Sequence, residues 1–219
     1  MKKKIFFGLF VMVGMLLLVS CGGEISVSVY IRDLEDITQE RNSVLYTTVR
    51  IVAEGLDDEE AINFLRNNLN GFSNEKMVEY NYSDSLAFDI KIPVLKKEAL
   101  SQIDSTKDLL FLILEDTEDS IDVFCEYNKD LYSKLDNYIY DKEYQHIDLN
   151  KFEISFMVEN DSRAEKKIRT FSCYVNDKPY PAFCNVTLTD RERSEIRIRQ
   201  ILKNAIIADN RYSIFSVSK

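Results

Sequence analysis

Apolar and polar residues alternate at period two over much of the chain, the mark of strands with one covered face. Glu24 to Tyr30 reads E-I-S-V-S-V-Y and sets Ile25, Val27 and Val29 on one side. Val44 to Ala53, rich in β-branched and aromatic residues, predicts a second strand that ends at Glu54-Gly55. Met77–Tyr82, Leu86–Val94, Leu109–Leu114, Ile121–Tyr127 and Phe152–Val158 read as further strands, with Pro93 closing one of them, and Tyr212–Val217 is the last. A hairpin is expected between 170 and 187, with turn residues at Asn176-Asp177.

Helical spacing interrupts this pattern in a few places. A short stretch around Leu34 and Ile37 is the first, and another runs through Leu95, Ala99 and Ile103. Asp57 as N-cap, Glu60 three residues on, Ile62, Leu65 and Leu69 on one face and Gly71 as terminator predict a helix. Asn128 caps another, with Leu131, Leu135, Tyr138 and Ile139 on its covered side. The longest is expected after Thr189, which forms a second capping box with Glu192 ahead of Ile198, Ile201, Leu202, Ala205 and Ile206. Strands that look hairpin-paired and are too frequent for regular strand-helix alternation point to an α+β fold with mainly antiparallel sheet.

The N-terminus obeys a different rule. Lys2, Lys3 and Lys4 precede an uncharged apolar run from Ile5 to Val19, the layout of a secretory signal. The run is shorter than the roughly 20 residues a spanning helix needs. It contains Gly8 and Gly14 and breaks at Gly22, Gly23 and Glu24. Leu18-Val19-Ser20-Cys21 matches the bacterial lipobox, in which the cysteine becomes the first mature residue and carries lipid on its thiol. Two or more acyl chains anchor stably, so the lipid on Cys21 suffices as the membrane contact. The expected organisation is a signal at 1–20, a short tether at 21–24 and an α+β domain over 25–219, with a division near 105–150 as the alternative. Gly22 stands where an aspartate would signal inner-membrane retention in enteric bacteria, which favours the outer membrane in a cell with two.

Charge narrows the partners. Three of the 28 Lys and Arg lie in the signal, so 25 face 37 Asp and Glu and the mature chain is near −12. Such a surface repels phosphate backbones, and nucleic acid is not expected. One region runs against the acidic trend: on the expected helix after Thr189, Arg193, Arg197, Arg199 and Lys203 gather on the polar side, together with Ile196 and Ile207. These four cations form the candidate surface for an envelope protein or another envelope component. Beyond Cys21 the cysteines are Cys125, Cys173 and Cys184. Cys173 and Cys184 are the candidate disulfide, and register decides it. A two-residue turn at Asn176-Asp177 opposes Val175 to Lys178 and Cys173 to Tyr180, leaving Cys184 out of line, whereas a longer loop brings the cysteines together.

The opening C-G-G-E-I-S-V-S-V-Y-I-R-D-L, the Asp57-capped helix and the strand S-L-A-F-D-I-K-I-P-V together resemble a group of small bacterial and prophage-encoded lipoproteins. The resemblance covers about the first 95 residues. It implies an envelope lipoprotein and brings no activity with it.

Catalytic chemistry finds little footing. His146 is the single histidine, which excludes a site of two imidazole ligands, and it reads as a polar position before a strand. No G-x-S-x-G, phosphate loop or nucleotide fingerprint occurs, and four of the six glycines lie in the signal or beside the anchor. The acidic run 115–122 lacks the glycine and terminal glutamate of an EF-hand and reads as a solvated turn. Sequons at Asn81, Asn160 and Asn185 carry no meaning behind a bacterial lipobox, and the tyrosines between 127 and 144 read chiefly as core. No catalytic residue, metal ligand or cofactor is expected. Two functional readings stay open: a non-catalytic interaction module, and a protein that holds a small apolar or amphipathic ligand between sheet and helix.

Overall fold

The computed structural model describes residues 21–41, 43–209 and 211–219; the expected signal at 1–20 lies outside them. Strand dominates, at 54% against 26% helix, so the fold is α+β with the weight on β. The strands are β1 (Cys21–Tyr30), β2 (Val44–Glu54), β3 (Ser73–Tyr80), β4 (Ser83–Lys96), β5 (Leu110–Asp116), β6 (Ser120–Tyr127), β7 (Ile147–Glu159), β8 (Lys166–Val175), β9 (Lys178–Leu188), β10 (Arg193–Ile198) and β11 (Arg211–Ser218). The α-helices are α1 (Ile31–Thr38), α2 (Glu59–Asn68), α3 (Lys129–Glu143) and α4 (Gln200–Asp209).

All the strands belong to one sheet, in the order β10-β7-β1-β2-β4-β5-β6-β11-β8-β9, with β3 beside β4. β1 runs parallel to β7 and β4 parallel to β5; the other pairs are antiparallel. The sheet closes on itself, because Ile196 of β10 is opposed to Phe156 of β7 on one edge and to Val175 of β8 on the other. Rings from the two ends of the sheet meet as a result: Phe156 and Phe215 of β11 pack edge to face with centroids 6.4 Å apart.

The alternation read in the sequence decides what fills this closed sheet. Ile25, Val27 and Val29 of β1, Val49 and Ile51 of β2, Ile121 and Val123 of β6, and Ser194, Ile196 and Ile198 of β10 are all buried. Two polar inward positions are satisfied: Thr170 Oγ1 donates to Ile214 O at 2.9 Å, and Lys166 pairs with Glu35 of α1 at 2.6 Å. α1 follows β1 directly and packs across β1, β2, β4, β5 and β6 through Ile31, Leu34 and Ile37, closing one end. α2, α3 and α4 leave from the other end, where Gly23 stands beside Ala53 and Phe152. Gly23 has φ +147°, and a Cβ there would lie 1.8 Å from Val52 O, so this crossing requires glycine. A smaller cluster of Leu95, Ala99, Phe111 and Ile113 lies under the 3₁₀ turns of 97–107 on the outside.

Several local expectations shift. Asp58, one residue after Asp57, caps α2 by accepting the Ala61 N–H at 2.8 Å. β4 runs through Pro93 to Lys96. The Lys91 N–H donates away from β2 to Asn70 O, so the Pro93 nitrogen two residues on faces the same edge. That edge pairs β3 up to Asp89 and β5 from Val94, and Pro93 falls in the gap. The largest correction concerns the helix expected from Thr189. Only half of its capping box forms: the Thr189 N–H and hydroxyl both donate to Glu192 Oε2, at 2.9 and 3.0 Å, while the Glu192 N–H donates to the Thr189 carbonyl at 3.1 Å and not to the hydroxyl. The box closes a turn instead of opening a helix, because Arg191 adopts φ +62° and sends the chain into β10. R-S-E-I-R-I obeys the period of two, and helix begins only at Gln200.

Candidate functional site

The site lies on the outer surface where the sheet closes, and the β8–β9 hairpin builds one wall. Asn176 and Asp177 have φ of +46° and +64°, which gives the two-residue turn whose twist suits a hairpin. Val175 therefore faces Lys178 and Cys173 faces Tyr180. Ser172, at φ +48°, marks the register shift between Phe171 and Cys173, and beyond it Cys184 faces Thr170. This register corrects the candidate disulfide: Cys173 and Cys184 are free buried thiols, as is Cys125. Burial raises the Cys173 thiol pKa and pushes that of Cys125 up to about 12.

With Cys173 and Val175 inward, Tyr174 projects outward. The turn then locks onto β10, since Asn176 Oδ1 accepts the Glu195 N–H at 2.9 Å and the Asn176 N–H donates to Glu195 O at 3.0 Å. This brings Arg197 opposite Tyr174, its guanidinium 5.1 Å from the ring centroid. Two carboxylates hold Arg197: Asp177 at 2.8 Å and Glu153 of β7 at 3.4 Å. Arg199 approaches the same ring at 5.9 Å, and among the described residues it makes no ion pair.

Lys203 completes the far wall from α4. Its ammonium donates to Asn150 O at 2.8 Å and Phe152 O at 3.0 Å, which makes a buried lysine tolerable. Desolvation lowers its pKa, against the opposing pull of Glu153 and Asp148. Gln200 Nε2 donates to Asn150 Oδ1 and Asn204 Oδ1, both at 2.8 Å. Together Glu153, Tyr174, Arg197, Ile198, Arg199, Gln200 and Lys203 line a cleft of about 400 Å³. Three cations against one lining carboxylate make it a positive patch on an acidic protein.

Three of the four cations singled out in the sequence thus converge, through strand geometry and not along one helix. Arg193 does not join them; it pairs with Glu159 at 2.8 Å further along β10. Ile196, expected beside the cations, is buried inside the sheet. Sequence reasoning missed Tyr174 and Glu153. Tyr174 was accessible through alternation, as the residue between inward Cys173 and Val175. Glu153 needed the β10–β7 register.

Two apolar cavities lie behind the cleft. One of about 80 Å³ sits between the sheet and α2 and α3, lined by residues that include Ile25, Leu65, Leu110, Leu135, Ile147 and Leu149. A second of about 30 Å³ shares Ile25, Leu110, Tyr127 and Leu149 with it and reaches Ile206 and Lys203 of α4.

The other candidates have structural employment. His146 Nδ1 lies 3.0 Å from Asp136 Oδ2, and its ring stacks on Tyr140. Tyr138 stacks on Phe64 of α2, and Tyr132, partly buried, donates its hydroxyl to Ile147 O. Residues 117–119 form the turn between β5 and β6, and Glu115 and Asp116 at the end of β5 meet Arg211 and Lys219. Among the described residues no three His, Cys, Asp or Glu side chains gather as for a metal ion, and no helix is long and apolar enough to cross a membrane.

Residues 23–219 match the family described as "Domain of unknown function (DUF7424)". The chain belongs to that family. The match spans the whole closed sheet from Gly23 onward, so the cleft and both cavities are part of the DUF7424 domain. No curated protein and no solved structure matches the chain.

Proposed function

We propose that this DUF7424 protein is a lipid-anchored protein of the bacterial cell envelope, held by lipid on Cys21, whose folded domain is a non-catalytic module that binds an anionic group of an envelope partner. Leu18-Val19-Ser20-Cys21 supports the address. The observation that carries the binding role is Arg199. It lines an open cleft beside Tyr174 with no carboxylate paired to it among the described residues, on a mature chain of strongly negative net charge. A guanidinium so placed has its planar fork available for a carboxylate or phosphate, and the tyrosine face keeps it extended. Arg197, already paired with Asp177 and Glu153, serves as the second, weaker pole.

Volume favours the cleft over the cavities as the primary site. Small-molecule sites are on the order of 300–1,000 Å³. The cleft of about 400 Å³ falls in that range, and the cavity of about 80 Å³ does not. The test is co-purification of the full-length lipoprotein from membranes. The partner retained by wild type should be lost from the Arg197→Gln/Arg199→Gln variant, more completely at low salt than at high salt, where the ionic contribution is already screened. Equal retention by a folded double variant would remove the cleft from the account.

A further inference from the structure

The cleft and the smaller cavity share one lining side chain. Lys203 lines the charged cleft and also the smaller apolar cavity, which in turn shares four lining residues with the larger one. The cationic cleft and a space lined by Ile25, Leu110, Leu149 and Ile206 are therefore neighbours on either side of one lysine side chain. Spaces of opposite character side by side match a ligand with an anionic head and an aliphatic tail.

The position of this suite in the fold indicates where such a ligand comes from. Cys21 pairs with Ile147 and Gly23 with Phe152 at the start of β1. Ile147 and Phe152 both line the larger cavity, and the Phe152 carbonyl holds Lys203. Cleft, cavities and N-terminal strand thus occupy the same end of the closed sheet, the end that a lipid on Cys21 would bring to the bilayer surface. We infer that the domain takes an anionic amphiphile from the membrane surface, with its phosphate or carboxylate in the Arg197–Tyr174–Arg199 cleft and its tail end between the sheet and α2, α3 and α4. This rests on the cleft reading given above and extends it to a ligand class.

Cavity size bounds the tail. A dry cavity of roughly 150 Å³ accepts a benzene ring. Spaces of about 80 and about 30 Å³ accordingly hold a few methylenes without rearrangement. Burying about three methylenes at about 0.8 kcal/mol each corresponds to a gain in affinity on the order of fiftyfold.

The experiment uses the lipidated full-length protein in phosphatidylcholine vesicles, with thermal unfolding followed by far-UV circular dichroism. The probes are inorganic phosphate, hexyl phosphate and hexanol at matched concentrations, since a ligand that binds only the native state raises Tm according to its Kd. Hexyl phosphate should bind on the order of fiftyfold more tightly than phosphate, and hexanol weakly. Leu149→Phe, which fills both cavities, should bring hexyl phosphate down to the level of phosphate, and Ile206→Phe provides a second filling variant should that one fold poorly. Arg199→Gln should weaken both phosphates. If hexyl phosphate binds no better than phosphate, the amphiphile inference falls and the anionic cleft stands. If neither phosphate binds, the cleft reading falls with it.

Discussion

Replacing Ile196 by alanine separates the closed sheet from the helix that local pattern suggested. Ile196 is 0% exposed and is opposed to Phe156 on one edge and Val175 on the other. Truncating a fully buried isoleucine to alanine costs about 2–5 kcal/mol, the lost transfer energy plus the cavity left behind. At about 2–4 °C per kcal/mol for a domain of this size, the middle of that range lowers Tm by roughly 7–14 °C. A helix running from Thr189 would put Ile196 on the polar side beside the arginines, and there the same change should stay within about 0.5 kcal/mol. Glu195→Ala is the control, because Glu195 faces outward on the strand. Urea unfolding followed by circular dichroism reads both, with a lower midpoint and an unchanged slope expected for Ile196→Ala. Equal, sub-kcal effects of the two substitutions would refute the strand and with it the closure of the sheet.

Other outcomes follow from the same geometry. Lys203 has a folded-state pKa below its unfolded value, so the unfolded chain binds more protons between the two and stability rises with pH across that window. Wild type should therefore gain stability relative to Lys203→Met as pH is raised toward about 10.5, in paired urea titrations; a constant difference would contradict the buried ammonium. Cys125, Cys173 and Cys184 should all take up alkylating reagent after denaturation without reductant and resist it in the native protein, as read by mass spectrometry. A Cys173–Cys184 bond would show as two cysteines that stay unlabelled. Gly23→Ala should lower Tm sharply, because the added Cβ meets Val52 O and φ is positive; an unchanged Tm would count against the drawn crossing of β1 and β2.

Much of the strand set was legible because one face of each strand is covered and period two survives in the residues themselves. Glu24–Tyr30 and Ile121–Tyr127 are the clean cases. β10 was hidden for a physical reason. Its outward face is Arg193, Glu195 and Arg197, its inward face begins with Ser194, and the Glu192 carboxylate reaches back to the Thr189 N–H in this turn as it would in a helix cap. Only the left-handed Arg191, a non-glycine that gives no sequence warning, separates the two outcomes. The site was half legible. Its cations stood out against an acidic chain, but Tyr174, Glu153 and Lys203 come together across β8, β7 and α4 through registers that no local window contains. The cysteines turned on loop length, which the residues left open: the two-residue turn at Asn176-Asp177 sets Cys173 opposite Tyr180, and the shift at Ser172 then sets Cys184 opposite Thr170.

Native mass spectrometry of the protein released from its own membranes tests the central claim most directly. The account predicts a mature chain that begins at Cys21 with diacylglycerol on the thiol, accompanied by a non-covalent anionic companion that disappears from the Arg199→Gln variant. A chain with unmodified Cys21, or one whose companion is indifferent to Arg199, would contradict it.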